Sequence, residues 1–359
     1  MSSIVGWDIG GAHVKVVQLD ATGAVINVLQ LPCELWRGLD KLEATILNVL
    51  SVFKVHINEA QHAVTMTGEL VDLFENRQQG VQAIANLASS LLGNQVYFYA
   101  ALVGFVPITS VTKHAAVIAS TNWHASASLI ASQLPEALLV DIGSTTTDII
   151  PIINSKVANI GLTDAARMRE DTLVYTGVVR TPLMALAQKL NFEGAETNIA
   201  AEYFATMADV YRLTEELSPD ADMTLTADGQ SKNALASARR LARMIGRDVA
   251  ESNLQPWQTF ALTCKATQMA QIKKAMLKHV KTGMPIVGAG AGAFLVKQLA
   301  HELNHNYLML SQALKIEGDD QLSVCFPAYA VAKLAMTDLQ LQSLTWHDYV
   351  KTWFSVLPR

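Results

Sequence analysis

The stretch Leu138–Ile152, Leu-Leu-Val-Asp-Ile-Gly-Ser-Thr-Thr-Thr-Asp-Ile-Ile-Pro-Ile, constrains the fold more than any other part of the chain. It reads as an apolar strand, a tight polar turn and a second apolar strand. Asp141 stands where the first strand ends, and Gly143 where the chain must turn. Ser144, Thr145, Thr146 and Thr147 supply hydroxyls and turn amides, a donor set suited to phosphate oxygens. Asp148 adds a carboxylate before Ile149 and Ile150 resume the strand. A carboxylate beside phosphate-facing donors implies a cation between them, and Mg²⁺ is the expectation.

The same phrase opens the chain. Ile4–Val17, Ile-Val-Gly-Trp-Asp-Ile-Gly-Gly-Ala-His-Val-Lys-Val-Val, again gives strand, Asp-Ile-Gly turn and strand. Asp8 corresponds to Asp141 and Gly10 to Gly143, while Lys15 lies beyond the turn. One Asp-Gly turn is commonplace in hairpins. Two in matching frames point to duplicated phosphate-binding lobes. The phosphate-facing candidates are therefore Gly10, Gly11 and Lys15 in the first copy, with Gly143, Ser144, Thr145, Thr146 and Thr147 in the second. Asp8 and Asp141 are the candidate metal ligands.

A chain of 359 residues exceeds the usual size of one hydrophobic core, in keeping with two lobes. Half its residues are hydrophobic and 16% charged, with no apolar run of membrane-spanning length. A net charge of −5 argues against a nucleic-acid partner, which needs a basic face. The start of the chain carries no charged leader, and Cys33, Cys264 and Cys325 are dispersed. The expectation is a cytoplasmic protein with neither a disulfide frame nor a thiolate zinc site.

Strands are expected over 24–31, 63–67, 95–99 and 323–326, and helices over 39–53, 74–92, 115–134, 257–280 and 328–336. The lobes are expected at 1–135 and 136–340, with a helical insert near 200–250 and a tail over 341–359. Gly288-Ala-Gly-Ala-Gly292 between a strand and a helix lets backbone approach an anionic ligand, so Gly288, Gly290 and Gly292 form a candidate nucleotide-like loop. The spacing is not the full dinucleotide fingerprint. Arg240, Arg243 and Arg247 share a helical face, which could clamp a diphosphate or lie solvated beside acids. Asp209, Asp228 and Asp248 around the insert could bind Mg²⁺ near that phosphate or simply lie on the surface. Arg180, a charge within the apolar run Val178-Val-Arg-Thr-Pro182, marks a pocket, and Asp164 with Arg167 lies just past the central hairpin. His301-Glu-Leu-Asn-His305 matches a zinc-protease pattern without a third ligand and reads as a polar helix end.

Asp8-Ile-Gly-Gly11, the Asp141–Asp148 turn and Gly288–Gly292 resemble the two phosphate loops and the adenosine loop of the actin/Hsp70/sugar-kinase superfamily. Within it the chain resembles the hydantoinase/oxoprolinase group, in particular its subgroup linked to tetrahydromethanopterin-dependent C1 transfer. Tyr175–Pro182, Ala208-Asp-Val-Tyr211 and Arg240-Leu-Ala-Arg-Met244 carry that likeness. The resemblance implies a two-lobed, actin-like ATPase (ribonuclease H-like) α/β fold with a central cleft. It implies a transferase of methanofuran-type cofactor biosynthesis, in which the phenol of a γ-glutamyl-tyramine or -tyrosine displaces diphosphate from an aminomethylfuran diphosphate. Asp8 and Asp141 would hold Mg²⁺, Arg180 would face the anion, and Asp148 or Asp164 would take the phenolic proton. ATP is not required by that chemistry. An ATP-dependent kinase or hydantoinase-like hydrolase, and a non-catalytic ATP-binding sensor or assembly protein, are the alternatives.

Overall fold

The computed structural model describes residues 3–55, 59–158, 161–316 and 320–338. It divides into two compact units, one of residues 1–129 with 325–359 and one of residues 130–324.

The first unit is built on β1 (Ile4–Ile9), β2 (His13–Leu19), β3 (Val25–Pro32), β4 (Gln61–Met66), β5 (Val96–Tyr99) and β6 (Phe105–Pro107), in the sheet order β3-β2-β1-β4-β5-β6. The strands β1, β2 and β3 form an antiparallel meander, whereas β4 and β5 run parallel to β1. Alternation along β1 sends Val5, Trp7 and Ile9 into a core shared with α1 (Leu39–Phe53), α2 (Arg77–Leu92) and α3 (Val111–Ile118). Registered neighbours across a sheet share a face, so Lys15, Asp8 and Thr65 form one polar row on the opposite side.

That second face explains why the C-terminal segment belongs here and not, as expected, to the second lobe. The helix over 326–338 rests the Ala328 carbonyl against Gly6 on β1, and Lys333 Nζ donates to the Gly23 carbonyl at 3.2 Å. The expected strand over 323–326 is helical, ending a short helix (Asp320–Val324) and opening that last helix. A short apolar run does not by itself distinguish strand from buried helix. The helix expected over 115–134 is two, α3 and α4 (Asn122–Ala131), broken at Ser120, which takes a positive φ of 52°. The expected tail over 341–359 lies outside the described residues.

The second unit repeats the plan. β7 (Ala137–Ile142), β8 (Thr147–Ile153), β10 (Leu173–Val174), β13 (Ile286–Ala289) and β14 (Tyr307–Met309) give the order β10-β8-β7-β13-β14, with β9 (Lys156–Val157) also on β8. As in the first unit, the hairpin is antiparallel and the added strands run parallel to its first strand. This is the duplicated ribonuclease H-like arrangement of the actin-like ATPase fold. Between β10 and β13 the chain inserts a hairpin, β11 (Lys189–Phe192) and β12 (Ala195–Asn198), then α6 (Met207–Leu213), α7 (Ala234–Met244) and the long α8 (Leu254–Met276). The hairpin was not anticipated from the sequence. Its packing is aromatic: Phe192 stacks on Trp257 with ring centroids 4.8 Å apart.

The three arginines expected on one helical face do not share it: α7 ends at Met244, before Arg247, and Arg240 does not lie on a solvated face. Arg240 is wholly buried and donates to Asp209 Oδ1 at 2.8 Å and Asp228 Oδ1 at 2.9 Å. Arg243 also reaches Asp228, and Arg247 lies over the Phe192 ring. Asp209 additionally holds Arg212, and Asp248 caps the turn that follows α7. A buried guanidinium needs such partners, because losing one leaves an uncompensated charge at a cost of about 3–5 kcal/mol.

His62 on β4 is fully buried, and its Nδ1 accepts a hydrogen bond from Trp7 Nε1 at 3.1 Å. Burial lowers its pKa from 6.5 to about 4. A depressed folded-state pKa means that His62 contributes its full stability above about pH 6.5 and loses it as the pH falls toward 4. That gap corresponds to about 3 kcal/mol. Urea midpoints measured between pH 7 and 4 should fall steeply for the wild type. His62→Gln, which keeps an acceptor but cannot titrate, should show a shallower slope; parallel slopes would refute this account.

Candidate functional site

The two hairpin turns are built alike. In the first unit Asp8 pairs with Lys15 and Ile9 with Val14, enclosing Gly10–His13. In the second Asp141 pairs with Asp148 and Ile142 with Thr147, enclosing residues 143–146. Each turn closes on the same bond, Gly10 N to His13 O and Gly143 N to Thr146 O, both at 2.9 Å.

What aims these turns is a neighbouring segment that binds their carbonyls. Val178 N donates to Gly143 O at 3.0 Å, and Val179 N and Arg180 N donate to Ser144 O at 3.1 and 2.8 Å. In a planar trans peptide the N–H points opposite to the carbonyl. With the carbonyls of Gly143 and Ser144 drawn toward the 178–180 segment, the amides of Ser144 and Thr145 are turned the other way. Consecutive amides turned to one side form a nest of the kind that can receive an anion. The first unit uses the same device, since Leu35 N donates to Gly11 O at 3.1 Å and Cys33 N to Ala12 O at 2.9 Å. The amides of Ala12 and His13 are thereby turned outward.

Around the second nest, Ser144 and Thr145 are partly exposed, with their hydroxyl oxygens 3.4 Å apart. Gly177 lies directly beneath, where a Cβ would stand 2.5 Å from the Ser144 carbonyl carbon and from Thr145 N. Gly290, at φ +80°, brings its backbone against the Asp141 carboxylate. Gly292 N donates to Ile142 O at 2.8 Å and caps α9 (Ala293–Glu302). Asp141, the 143–146 turn, Gly177 and the 290–292 loop are thus one constellation.

Other candidates have different duties. Thr147 is fully buried, and its hydroxyl donates to Thr176 O at 2.7 Å, so it ties the turn to the 176–180 segment and presents nothing outward. Asp148 commits Oδ1 to the buried Arg167, 2.6 Å away, and Arg167 also donates to Thr172 O at 2.8 Å. Gly288 belongs to β13, where it makes room for the Tyr307 ring and does not form part of the loop. Asp164 occupies the first turn of α5 (Asp164–Arg169), one turn before Arg167. The Arg180 side chain is exposed. In the first unit Asp8 is buried at the end of β1, and Lys15 takes the hairpin position that Asp148 holds in the second. His301 closes α9, whereas His305 lies beyond it with Nδ1 2.8 Å from Met284 O, so the two imidazoles do not share a helical face.

The sequence reading set Arg167 beside Asp164 without giving it a role, and it assigned none to Thr176 and Gly177. A Thr-Gly pair between apolar residues was the available signal for the last two. Cys33, Cys264 and Cys325 are all buried, and none is in a disulfide. Among the described residues no helix is long and apolar enough to cross a membrane.

The sequence profile of the hydantoinase/oxoprolinase family matches residues 61–336. The chain belongs to the hydantoinase/oxoprolinase family. It is also 29% identical over 339 residues to the (4-{4-[2-(gamma-L-glutamylamino)ethyl]phenoxymethyl}furan-2-yl)methanamine synthase of Methanocaldococcus jannaschii, covering 94% of this chain and 98% of that one. The synthase of the same name from Methanococcus vannielii is 29% identical over 204 residues, 56% of this chain and 91% of that one. Among solved structures, nucleotide-free acetone carboxylase superposes with a TM-score of 0.57 over 92% of this chain and 70% of that one. At 10% identity, this likeness concerns the fold alone.

Because Gly177 abuts the Ser144–Thr145 peptide, Gly177→Ala should push the nest out of shape. Affinity for inorganic pyrophosphate in the presence of Mg²⁺ should fall by about tenfold or more, equivalent to about 1.4 kcal/mol. Calorimetric titration checks this, and unchanged affinity in a folded variant would contradict the assigned nest.

Proposed function

We propose that this protein is a transferase that builds an aryl ether, joining the phenol oxygen of a γ-glutamyl-tyramine or -tyrosine to the methylene carbon of an aminomethylfuran diphosphate. The observation that carries this reading is the near full-length match to the furanylmethanamine synthase of M. jannaschii, whose named product contains that phenoxymethyl–furan bond. The anion nest in the second unit supports it from the side of the chemistry, since the reaction leaves charge on a diphosphate.

In the reaction a C–O bond forms from the phenol oxygen to the furfuryl carbon as the bond from that carbon to diphosphate breaks. The electron pair departs with the diphosphate, and the phenolic proton is lost. Outward amides at Ser144 and Thr145, with their hydroxyls, face the charge that develops on the leaving group. Arg180, exposed beside its own amide's bond to Ser144, adds a cation for the same anion. The proton passes to a carboxylate of this unit, and Asp148 and Asp164 are its proposed acceptors. Asp148 would use the oxygen not committed to Arg167.

Mg²⁺ is the proposed cofactor. The residues around the nest fit it: Asp141 and the hydroxyls of Ser144 and Thr145 are hard oxygen donors, and Gly290 keeps bulk away from the carboxylate. The described residues contain no cluster of three or more His, Cys, Asp or Glu that could enclose a metal by itself. The proposed cation would be held by one or two carboxylates together with substrate phosphates. Asp8, at the same place in the first hairpin, is likewise proposed as a metal ligand. When bound, Mg²⁺ would neutralise diphosphate charge. The reaction belongs to cofactor synthesis for one-carbon metabolism, and we place it in the cytoplasm.

Purified protein given Mg²⁺, the furan diphosphate and the γ-glutamyl phenol should yield the ether and free diphosphate without ATP. Mass detection of the ether with coupled diphosphate release measures this. ADP appearing in proportion to product would instead favour an ATP-dependent reaction. Asp141→Asn and Asp8→Asn should nearly abolish turnover, because a neutral amide holds Mg²⁺ poorly. Arg180→Ala should lower it about ten- to hundredfold, the worth of one charge-assisted contact, with little change in melting temperature. Unfolding of Arg180→Ala would make that residue structural.

A further inference from the structure

Gln268 lies in the middle of α8, far in sequence from either hairpin, and is fully buried. Burying an amide is costly unless its donors and acceptor are met. Its Nε2 donates to Thr176 Oγ1 at 2.7 Å and to Gly177 O at 2.9 Å, and its Oε1 accepts from the Tyr211 hydroxyl on α6. Burial raises the pKa of Tyr211, which keeps that hydroxyl a donor. On the other side of the same residue, Gly177 N donates to Thr181 Oγ1 at 2.7 Å. Gly177 is therefore held at both its amide and its carbonyl.

The consequence lies in what Gly177 touches. It packs against the Ser144–Thr145 peptide, and the next three residues bind the carbonyls that set the direction of the nest. Thr176, the other acceptor of Gln268, receives the Thr147 hydroxyl on its carbonyl. The bonds from residues 178–180 that aim the second nest thus arise from a segment whose start is held by Gln268 together with Thr147 and Thr181.

We infer that Gln268 is a positioning residue for the leaving diphosphate: through Thr176 and Gly177 it holds the Ser144 and Thr145 amides in the direction that receives the anion. This rests on the synthase reading above and names the part of the insert that serves it. It also gives the helical insert a task beyond covering the sheet, because Tyr211 and Gln268 both belong to that insert.

Gln268→Met keeps the length and apolar bulk of the side chain and removes both donors. Thr176→Val removes one of its acceptors and keeps the carbonyl that receives Thr147. In the full-length protein with Mg²⁺, Gln268→Met should weaken inorganic pyrophosphate binding about tenfold and raise KM for the furan diphosphate similarly. KM for the phenol should stay unchanged, and Thr176→Val should show a smaller effect of the same kind. A purely structural role would lower the melting temperature and leave these constants of the folded protein alone. Wild-type pyrophosphate affinity and diphosphate KM in folded Gln268→Met would overturn the inference. If that variant does not fold, the same result in Thr176→Val overturns it. A wild-type protein that binds pyrophosphate but forms no ether would refute the synthase reading while leaving the role of Gln268 to be decided by pyrophosphate affinity. A wild type that does not bind pyrophosphate would refute both.

Discussion

The second unit depends on the direction in which two peptide groups point. The carbonyls of Gly143 and Ser144 are bound by the amides of residues 178–180, and planarity then leaves the opposite amides no choice of side. Secondary structure alone does not achieve this. A hairpin turn closed only by the Gly143–Thr146 bond could present its amides in several ways. The neighbouring segment selects one of them, and the insert behind it holds that segment still through Gln268. Anion binding by backbone needs such preorganisation, because mobile amides must first be ordered by the ligand.

Duplication explains the common plan of the two units, and the differences between them show how the copies have parted. In the first, the Asp8 row contains Lys15, so a cation lies directly across the hairpin from the carboxylate. In the second, Asp141 faces Asp148, a like-charge pair that is unfavourable unless something compensates it. Arg167 does so, from a helix of only six residues whose other links run to Thr172 and the chain beside β10. The second copy thus keeps two carboxylates side by side, one of them paired with a buried arginine.

The insert illustrates a second constraint, the cost of buried charge. Arg240 and Asp209 are both inaccessible to water, and Arg212, Asp222 and Asp228 complete the network around them. These groups hold α6 and α7 in one relative position, and α8 packs beside them. Since α8 carries Gln268, the rigidity of this polar core bears on the nest without any of its arginines approaching it.

The sequence by itself determined the duplicated strand-turn-strand units, their mixed α/β character and the place of Asp8, Asp141 and the Gly143–Thr146 turn. Strand alternation and turn chemistry are local properties, legible in a few residues. It also marked Gly290 and Gly292, because a glycine-rich turn before a helix has a local signature. Tertiary structure alone decided the rest. Thr147 looks like its neighbours in sequence, yet alternation within β8 buries its hydroxyl against Thr176. Arg240 looked available until α7 packed its face inward on Asp209. The apolar run near Phe326 continued as helix because the exposed face of the first sheet required a cover. Gln268 carries no local mark, since its role exists only where a helix meets a loop 91 residues away in sequence. Contacts between such distant segments are set by packing, and no short window of sequence contains them.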